Sequence, residues 1–388
     1  MAVAGCLRAD LSEATDVEPI VRSLFTVRDV FDRGEGSKEY LIAYDQTSKD
    51  AFRTLYGRVK PLGFTPRLFG TREDASLTVI TGEPLTPPPP RTPVFLSLLS
   101  IVAIVAAGWL LGDIYAQVEG GEPLLMGASF VVGVVAVMLG KDLVQRLVVR
   151  RRGGVSTIPY YLPNIPFFIA LPVLYFLPTF GAITFVRSPT IDKDSLFDCY
   201  FVAPVVGVVI AIAVALVAAT TAVTLTHTQY LAVFGSGNLG TLSNNPSLLQ
   251  SAAISVSDYL NLSPPVPPGG VSLFSPLEIA AWVGFLLSFF SLLPAALFDG
   301  GRMATLALGV RGSRITTMVT GFLLVAIDVP NYWVIFLMIF LLAAIQPSNE
   351  TLDSISGISR SRKILFVGSV VLLLLCAPVP QTFLTIPI

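Results

Sequence analysis

The stretch LLMGASFVVGVVAVMLGKDLVQRLVVRRRGG, residues 124–154, decides the fold class of this chain. Its apolar part, 124–140, approaches the roughly 18–20 residues that a helix needs to span a bilayer. A charged segment follows it and ends in three consecutive arginines. Because Lys and Arg flank membrane helices mainly on the cytoplasmic side, the stretch predicts a membrane helix whose end meets the cytoplasm.

The composition of the whole chain extends this prediction. Of its 388 residues, 53% are hydrophobic and 13% are charged, against about 25% charged in an average soluble domain. We therefore predict a polytopic α-helical membrane protein with about six to eight spans or half-spans in the lipid bilayer. The net charge of −1 gives no sign of nucleic-acid binding. The further apolar stretches lie at 94–112, 200–223, 277–298, 315–327, 332–345 and 364–376.

Polar and apolar residues divide the chain into three parts. Residues 1–85 predict a small α/β domain, and 86–93 (TPPPPRTP) predict a stiff polyproline linker. Residues 94–388 predict a multi-pass membrane domain, with its core expected at 124–301. Within the first domain, the residue pattern predicts helices over 16–31 and 48–63 and strands over 38–45, 64–70 and 75–82.

The positions of Lys and Arg predict the topology. By the positive-inside rule, segments that hold these residues lie on the cytoplasmic side. We therefore expect the chain to cross the cell membrane several times, with its N-terminal domain in the cytoplasm. The segments that hold every Lys and Arg are 1–93, 141–152, 187–193, 302–314 and 360–363.

Two apolar segments differ from plain spans. Residues 158–180 contain five prolines, which break helices, so a re-entrant or broken segment inside the protein is expected. SLLPAALFDGG (291–301) places an acid, Asp299, at the cytoplasmic end of a span. A charge at membrane depth costs about 2.5–3.5 kcal/mol and therefore usually has a partner or a function. The alternative is a helix-end acid in a turn, with Gly300 and Gly301 supplying backbone freedom.

Five segments follow one another along the chain: RRRGGVSTIPYYLP (150–163), FGAITFVRSP (180–189), LFDCYFVAPVVG (196–207), SLLPAALFDGG (291–301) and APVP (377–380). In this order they resemble motifs of the site-2 protease family of intramembrane zinc metalloproteases (peptidase M50). The resemblance is to the branch with an N-terminal soluble domain, and it covers about residues 94–380. It implies a site-2-protease-like transmembrane core and a role in intramembrane proteolysis. Ala203 and Ser291 depart from the family's glycine and asparagine.

The resemblance implies an HExxH zinc motif whose positions fall on Lys141, Asp142 and Gln145, with Asp299 as the third ligand. A lysine ammonium has no lone pair for zinc, glutamine offers only a weak carbonyl oxygen, and aspartate is shorter than the catalytic glutamate. We therefore expect no active catalytic residue, no bound metal and no other cofactor, although zinc is the family's cofactor. The retained positions of the second motif are Pro294, Asp299, Gly300 and Gly301.

The lysine suggests a replacement for the metal's charge. We hypothesise that the Lys141 ammonium forms an ion pair with Asp299, and also neutralises Asp142, at membrane depth. Alternatively, Lys141 extends to the cytoplasmic headgroups as snorkelling lysines do.

Several functions remain open from the sequence. The first is a proteolytically inactive homologue that binds transmembrane helices of other membrane proteins or regulates an active relative. The alternative is an active intramembrane metalloendopeptidase with Asp142, Gln145 and Asp299 as a non-standard oxygen site. A metal-free aspartyl protease built on the two acids is opposed by Lys141, which would keep both ionised. A transporter or channel is a further class, although no inverted repeat is visible.

The other motifs in the sequence give weaker evidence of function. GSGNLG (235–240), with Asp258 downstream, matches a dinucleotide-binding pattern but lacks a βαβ context. The single histidine, His227, is expected at the extracytoplasmic surface rather than at a metal, and Asn261 is a weak glycan acceptor. The cysteines lack the spacing of a disulfide framework or a thiolate metal site; they are Cys6, Cys199 and Cys376.

Overall fold

A computed structural model describes most of the chain. It contains an N-terminal α/β unit within 17–81 and a helical unit within 90–378. The predicted span at 332–345 and residues 86–89 of the predicted linker lie outside the described residues. The described residues are 17–33, 38–81, 90–164, 177–184, 186, 189–226, 228–229, 246–295, 298–327 and 351–378.

The α/β unit is a small antiparallel sheet covered by helices. Its elements are α1 (Glu18–Leu24), β1 (Val27–Asp32), β2 (Lys38–Ile42), α2 (Ser48–Val59), β3 (Phe64–Gly70) and β4 (Ala75–Thr81). The strands lie in the order β1-β2-β4-β3. In β4 alternate residues are buried, as a sheet with one covered face requires. Three fully buried residues of α2, namely Phe52, Leu55 and Val59, pack into the same core.

The helix predicted over 16–31 is wrong in its second half. The helix ends at Leu24, and Val27–Asp32 is a strand that pairs with β2. Short apolar patterns do not separate helix from strand, and the pairing with β2 decides the outcome here. The other predicted elements of this unit are confirmed, including the end of the second helix at Gly63, which has a left-handed φ of +84°.

Helices dominate the rest of the chain. The elements are α3 (Arg91–Glu119), α4 (Pro123–Arg151), β5 (Tyr160–Pro163), β6 (Thr179–Ile183), α5 (Lys193–Ala218), β7 (Val223–Leu225), α6 (Leu248–Tyr259), β8 (Val271–Leu273), α7 (Pro276–Leu292), α8 (Asp299–Ile327) and α9 (Arg360–Cys376). Within the described part of the chain, three helices are long and apolar enough to cross a membrane, namely α3, α4 and α5. Helix α7 is apolar but shorter. A mostly helical, membrane-type protein with small sheets is confirmed, and the number of spans stays a prediction.

Glycines allow the helices to pack closely. A Cβ on Gly127 of α4 would lie 2.4 Å from the Gly108 carbonyl oxygen of α3. A Cβ on Gly284 of α7 would lie 3.1 Å from Ala211 Cβ of α5. Small residues at such crossings let membrane helices gain van der Waals contact that lipid does not offer. Helix α7, buried along almost its whole length, is the centre of this packing.

Two short strands flank the proline-rich segment. β5 pairs with β6, and Tyr160 lies opposite Ile183. Residues 165–176 lie outside the described part. The described ends of the predicted broken segment, 158–180, are extended rather than helical, because prolines remove the donors that a helix uses.

A strap, residues 351–359, joins the two units through backbone hydrogen bonds. Leu68 N, in β3, donates to Leu352 O over 2.7 Å, and Ser354 N donates back to Leu68 O over 3.0 Å. On its other side, Leu352 N donates to Thr190 O over 2.8 Å, just before α5. The Leu352 side chain lies in the core of the α/β unit. The strap therefore extends the sheet by strand addition and fixes it to the helical unit.

Ion pairs reinforce this contact at the first turn of α5. Lys49 Nζ lies 2.7 Å from Asp194 Oδ2, and Arg53 Nη2 lies 2.5 Å from Asp192 Oδ2. Burial alone would lower the pKa of Arg53, but the neighbouring carboxylates, Asp192 first, raise it above its ordinary value. The predicted domain limits stay a prediction, but the α/β unit is docked on the helices rather than held by a linker alone.

Candidate functional site

The degenerate motif lies inside α4 rather than at its end. The helix continues past the span predicted over 124–140 and carries Lys141, Asp142 and Gln145. The exposed fractions of these three residues are 3%, 5% and 2%, respectively. Lys141 and Gln145, four residues apart, face the same side of the helix, whereas Leu143 is 70% exposed. The face that carries the motif positions therefore packs into the protein.

Lys141 is enclosed by helices. Its Nζ donates to Ser291 Oγ of α7 over 3.5 Å. A Cβ added to Gly207 of α5 would lie 3.8 Å from Lys141 Cδ and 2.9 Å from Ser288 Oγ, so the lysine chain passes over a glycine. Among the described residues, no carboxylate oxygen lies within 4.0 Å of this ammonium. Its burial between α4, α5 and α7 differs from the exposed path that a snorkelling lysine takes.

Asp142 and Gln145 have partners on other elements. The Tyr161 hydroxyl of β5 donates to Asp142 Oδ2, so one carboxylate oxygen is already engaged. Gln145 Nε2 donates to the Cys199 carbonyl oxygen of α5 over 3.3 Å. A general base needs a free lone pair that faces the proton it takes. The role of Tyr161 was not foreseen, although it lies in the IPYYLP motif at 158–163.

The second motif forms a tight turn between α7 and α8. Helix α7 ends before Pro294, and Asp299 opens α8. A Cβ on Gly300 would lie 2.0 Å from the Leu292 carbonyl oxygen, a distance that backbone atoms do not tolerate. Gly300 is therefore required by packing, and the neighbouring Gly301 is also buried.

Charges from both motifs converge on Asp299. The positive charges of Arg302 and Lys141 attract its carboxylate, and the negative charge of Asp142 repels it. The Gln145 amide also lies close to it. The fold therefore brings the three ligand positions, Lys141, Gln145 and Asp299, close to the base position, Asp142. A direct Lys141–Asp299 ion pair stays a prediction.

Arg302 is the charged group that the sequence interpretation missed. It is 2% exposed. Its Nη1 donates to Tyr200 Oη over 2.7 Å and to the Thr184 carbonyl oxygen over 3.0 Å. Its guanidinium carbon lies 4.8 Å from the Tyr200 ring centroid. The available signal was the spacing of Arg302 from Asp299, since residues three apart lie on one helix face.

The donor set at this site does not fit zinc. Within the described part of the chain, no three His, Cys, Asp or Glu side chains are grouped so that they could hold a metal. Lys141 stands at one of the two helix positions from which the resembled family coordinates zinc, and its ammonium has no lone pair to offer. Gln145 directs its amide nitrogen to a backbone carbonyl. His227 lies outside the described residues.

Known plant proteins are similar to this chain. "Probable zinc metalloprotease EGY2, chloroplastic" of Oryza sativa subsp. indica is 24% identical over 263 residues, 64% of this chain and 42% of that protein. The protein of the same name in Arabidopsis thaliana is 23% identical over 266 residues, with the same shares. "Probable zinc metalloprotease EGY1, chloroplastic" of Oryza sativa subsp. japonica is 25% identical over 261 residues, 63% of this chain and 39% of that protein.

The chain is a distant homologue of plant zinc metalloproteases. The match spans 39–42% of the length of these relatives. It supports the resemblance to the site-2 protease family, whose cofactor is zinc. No protein-family model matches the sequence, and no solved structure matches it significantly. The relatives are chloroplastic by name, so the cell membrane and a cytoplasmic α/β unit stay predictions for this chain.

The structure describes only some of the remaining sequence motifs. GSGNLG (235–240) lies outside the described residues. Asp258 is exposed on α6, and Asn261 follows that helix. Cys199 and Cys376 are buried free thiols, and Cys6 lies outside the described part.

Proposed function

We propose that this chain is a membrane-embedded site-2-protease homologue that does not hydrolyse peptide bonds. It binds transmembrane helices of other membrane proteins, or of an active relative, and so acts as a pseudoprotease. The observation that carries the proposal is the buried ammonium of Lys141 at the first zinc-ligand position. A cation at that position repels a second cation and supplies no lone pair.

The position of the catalytic glutamate supports the same conclusion. Metalloprotease chemistry requires a carboxylate that takes a proton from metal-bound water. Asp142 is one methylene shorter than glutamate, and one of its oxygens accepts the Tyr161 hydroxyl proton in a hydrogen bond. Both the metal position and the base position are therefore altered, and their side chains are used for internal contacts.

The retained parts of the family core support a binding role. The turn with Pro294 and Gly300 keeps its tight geometry. The outer faces of α3 and α4 remain apolar and exposed on the isolated chain, with Leu143 as an example. Apolar faces of this kind contact lipid or other helices in a bilayer. We place the protein in the cell membrane with its α/β unit in the cytoplasm, because Lys and Arg follow the positive-inside pattern.

An alternative function is an active intramembrane metalloendopeptidase with a non-standard metal site. The names of the plant relatives favour it. Its ligands would be oxygens of Asp142, Gln145 and Asp299. Such hard ligands suit magnesium or calcium better than zinc, and Lys141 would stand beside the bound cation.

Metal content of the purified full-length chain in detergent separates the two functions. Elemental analysis of the wild type and of Asp299→Ala is expected to give no stoichiometric metal in either protein. One metal per chain that is lost in Asp299→Ala would overturn the proposal and establish the alternative site. Binding is tested with a fluorescent single-span peptide in nanodiscs. The wild type is expected to bind the peptide and leave it uncut, whereas cleavage would contradict the proposal.

A further inference from the structure

We infer a binding site for a phosphate-bearing ligand in the seam between the α/β unit and the helical unit. A cavity of about 570 Å³ lies there, within the roughly 300–1,000 Å³ of small-molecule sites. Strands β3 and β4 form one wall. The strap and the start of α5 form the other. A ligand in this cavity would contact both units.

The charge of the cavity is positive. Among the described residues that line it, two are basic, Arg67 and Lys193, and none is acidic. Arg67 projects from β3 and, within the described part of the chain, forms neither an ion pair nor a hydrogen bond through its side chain. Its guanidinium is therefore available to an anion.

Lys193 stands on the opposite wall and is held in place. Its Nζ donates to the Ser354 carbonyl oxygen of the strap over 2.8 Å. The negative charge of Asp353 attracts its ammonium, and the positive charge of Lys49 repels it. Asp353 is fully buried, and its Oδ1 accepts the backbone amides of Ile355 and Ser356. Lys193 therefore keeps donor capacity for a ligand in the cavity.

The rest of the lining is largely apolar. Phe69 of β3 and Ile80 of β4 both line the cavity. Phe69 is 43% exposed. This combination suits a ligand with an anionic head and an apolar body. A phosphate monoester carries a charge of about −1.5 to −2 near neutral pH. Such a group can accept two parallel hydrogen bonds from an arginine guanidinium and a further one from a lysine ammonium.

Two sources supply this chemistry. One is a soluble phosphate monoester. The other is the headgroup of phosphatidic acid, because α5 is a candidate membrane span that begins at the cavity. The test therefore uses the full-length protein with phenyl phosphate in detergent, and separately in nanodiscs with and without phosphatidic acid in phosphatidylcholine.

Arg67→Ala is the decisive variant. The Arg67 side chain is exposed and has no ion-pair or hydrogen-bond partner among the described residues, so its removal should not unfold the chain. Arg72→Ala, in the exposed β3–β4 turn, is the matched control. Arg67→Lys should retain part of the affinity. Arg67→Ala is expected to weaken binding about ten-fold or more, the size of effect for a lost charge-assisted hydrogen bond. Arg72→Ala is expected to leave binding unchanged.

Each outcome has one meaning. Arg67-dependent binding of phenyl phosphate supports a soluble ligand, and Arg67-dependent binding of phosphatidic acid alone supports the lipid headgroup. If neither probe binds, or if Arg67→Ala and Arg72→Ala weaken binding equally, the cavity is not a phosphate site. These readouts do not depend on whether the chain is a protease.

Discussion

Arg53 of the α/β unit holds Asp192, whose other carboxylate oxygen caps the first turn of the candidate membrane helix α5. The Arg53 Nη2 to Asp192 Oδ2 distance is 2.5 Å, and Asp192 Oδ1 accepts the Ser195 amide over 2.8 Å. One buried carboxylate thus serves a soluble unit and a helix start at the same time. The arrangement of the two units follows from contacts of this kind rather than from chain connectivity.

Removal of this ion pair should loosen the docking of the two units. Arg53→Ala leaves Asp192 buried without its guanidinium partner. We expect a loss of about 1–2 kcal/mol, less than the roughly 3–5 kcal/mol for a fully buried pair, because solvent screens the Arg53 side chain. That side chain is 39% exposed. Thermal unfolding in detergent and the rate of protease cleavage between the units measure the effect.

Asp50→Ala is the matched control for this prediction. Asp50 also pairs with Arg53, at 3.3 Å, but its side chain is 82% exposed. Its removal should change stability by only a few tenths of a kcal/mol. Equal effects of the two substitutions would show that the buried carboxylate is not what anchors the units.

The charge balance at the degenerate site is tested by a double-mutant cycle. Lys141→Ala should destabilise the protein, because each carboxylate loses one nearby cation. Among the described residues, Asp142 then keeps Arg146 nearby, and Asp299 keeps Arg302. The loss should be smaller than the roughly 3–5 kcal/mol of a buried ion pair in contact, because no described carboxylate oxygen lies within 4.0 Å of Lys141 Nζ. The double variant Lys141→Ala with Asp299→Ala should regain most of this loss. Apparent melting temperatures in detergent report the cycle, and an equal loss in the single and double variants would rule out the coupling.

A steric prediction concerns Gly300, in the tight turn between α7 and α8. Gly300→Ala places a Cβ 2.0 Å from the Leu292 carbonyl oxygen, so the end of α7 or the start of α8 must shift. We expect a loss near the upper end of the roughly 1–3 kcal/mol typical of overpacking, visible as a lower melting temperature and lower yield. In Gly368→Ala, the control, the new methyl group has no neighbour within 4 Å. A helical Gly→Ala change there should be neutral or stabilise by about 0.5–1 kcal/mol.

Restoring the family's donor set should restore metal binding. The triple variant Lys141→His, Asp142→Glu and Gln145→His places two imidazoles four residues apart on the buried face of α4, near Asp299. Two histidines and one carboxylate leave zinc the open position of a catalytic site. We expect one zinc per chain in the triple variant, and none when Asp299→Ala is added. A folded triple variant without zinc would show that features other than these three residues prevent metal binding.

The membrane fold was largely predictable because apolar runs and Lys/Arg flanks are local signals. The end of α4 was misplaced for a physical reason. Hydropathy falls at Lys141, so the span was expected to end at residue 140, but the polar side chains that follow are buried against other helices. From the sequence alone, a charged residue that a neighbouring helix buries cannot be distinguished from a charged residue in water.

The candidate site was predictable in its positions and not in its contacts. The two motifs identified Lys141 and Asp299 as neighbours in space. The partners Tyr161 and Arg302 required the arrangement of β5 and α8, which no local pattern encodes. The strap at 351–359 was missed for the same reason, since a short polar segment has no periodicity and acquires its strand geometry only by pairing with Leu68.

The strap also sets an order of assembly. The edge of the first-made unit is completed by a segment 286 residues further along the chain. At roughly 5–20 residues per second, a ribosome needs tens of seconds to reach it. During that time the open edge of β3 has no strand beside it, and the core lacks Leu352. Because the strap follows α3 to α8 in the sequence, the sheet of the α/β unit is completed only after all of these helices have been synthesised.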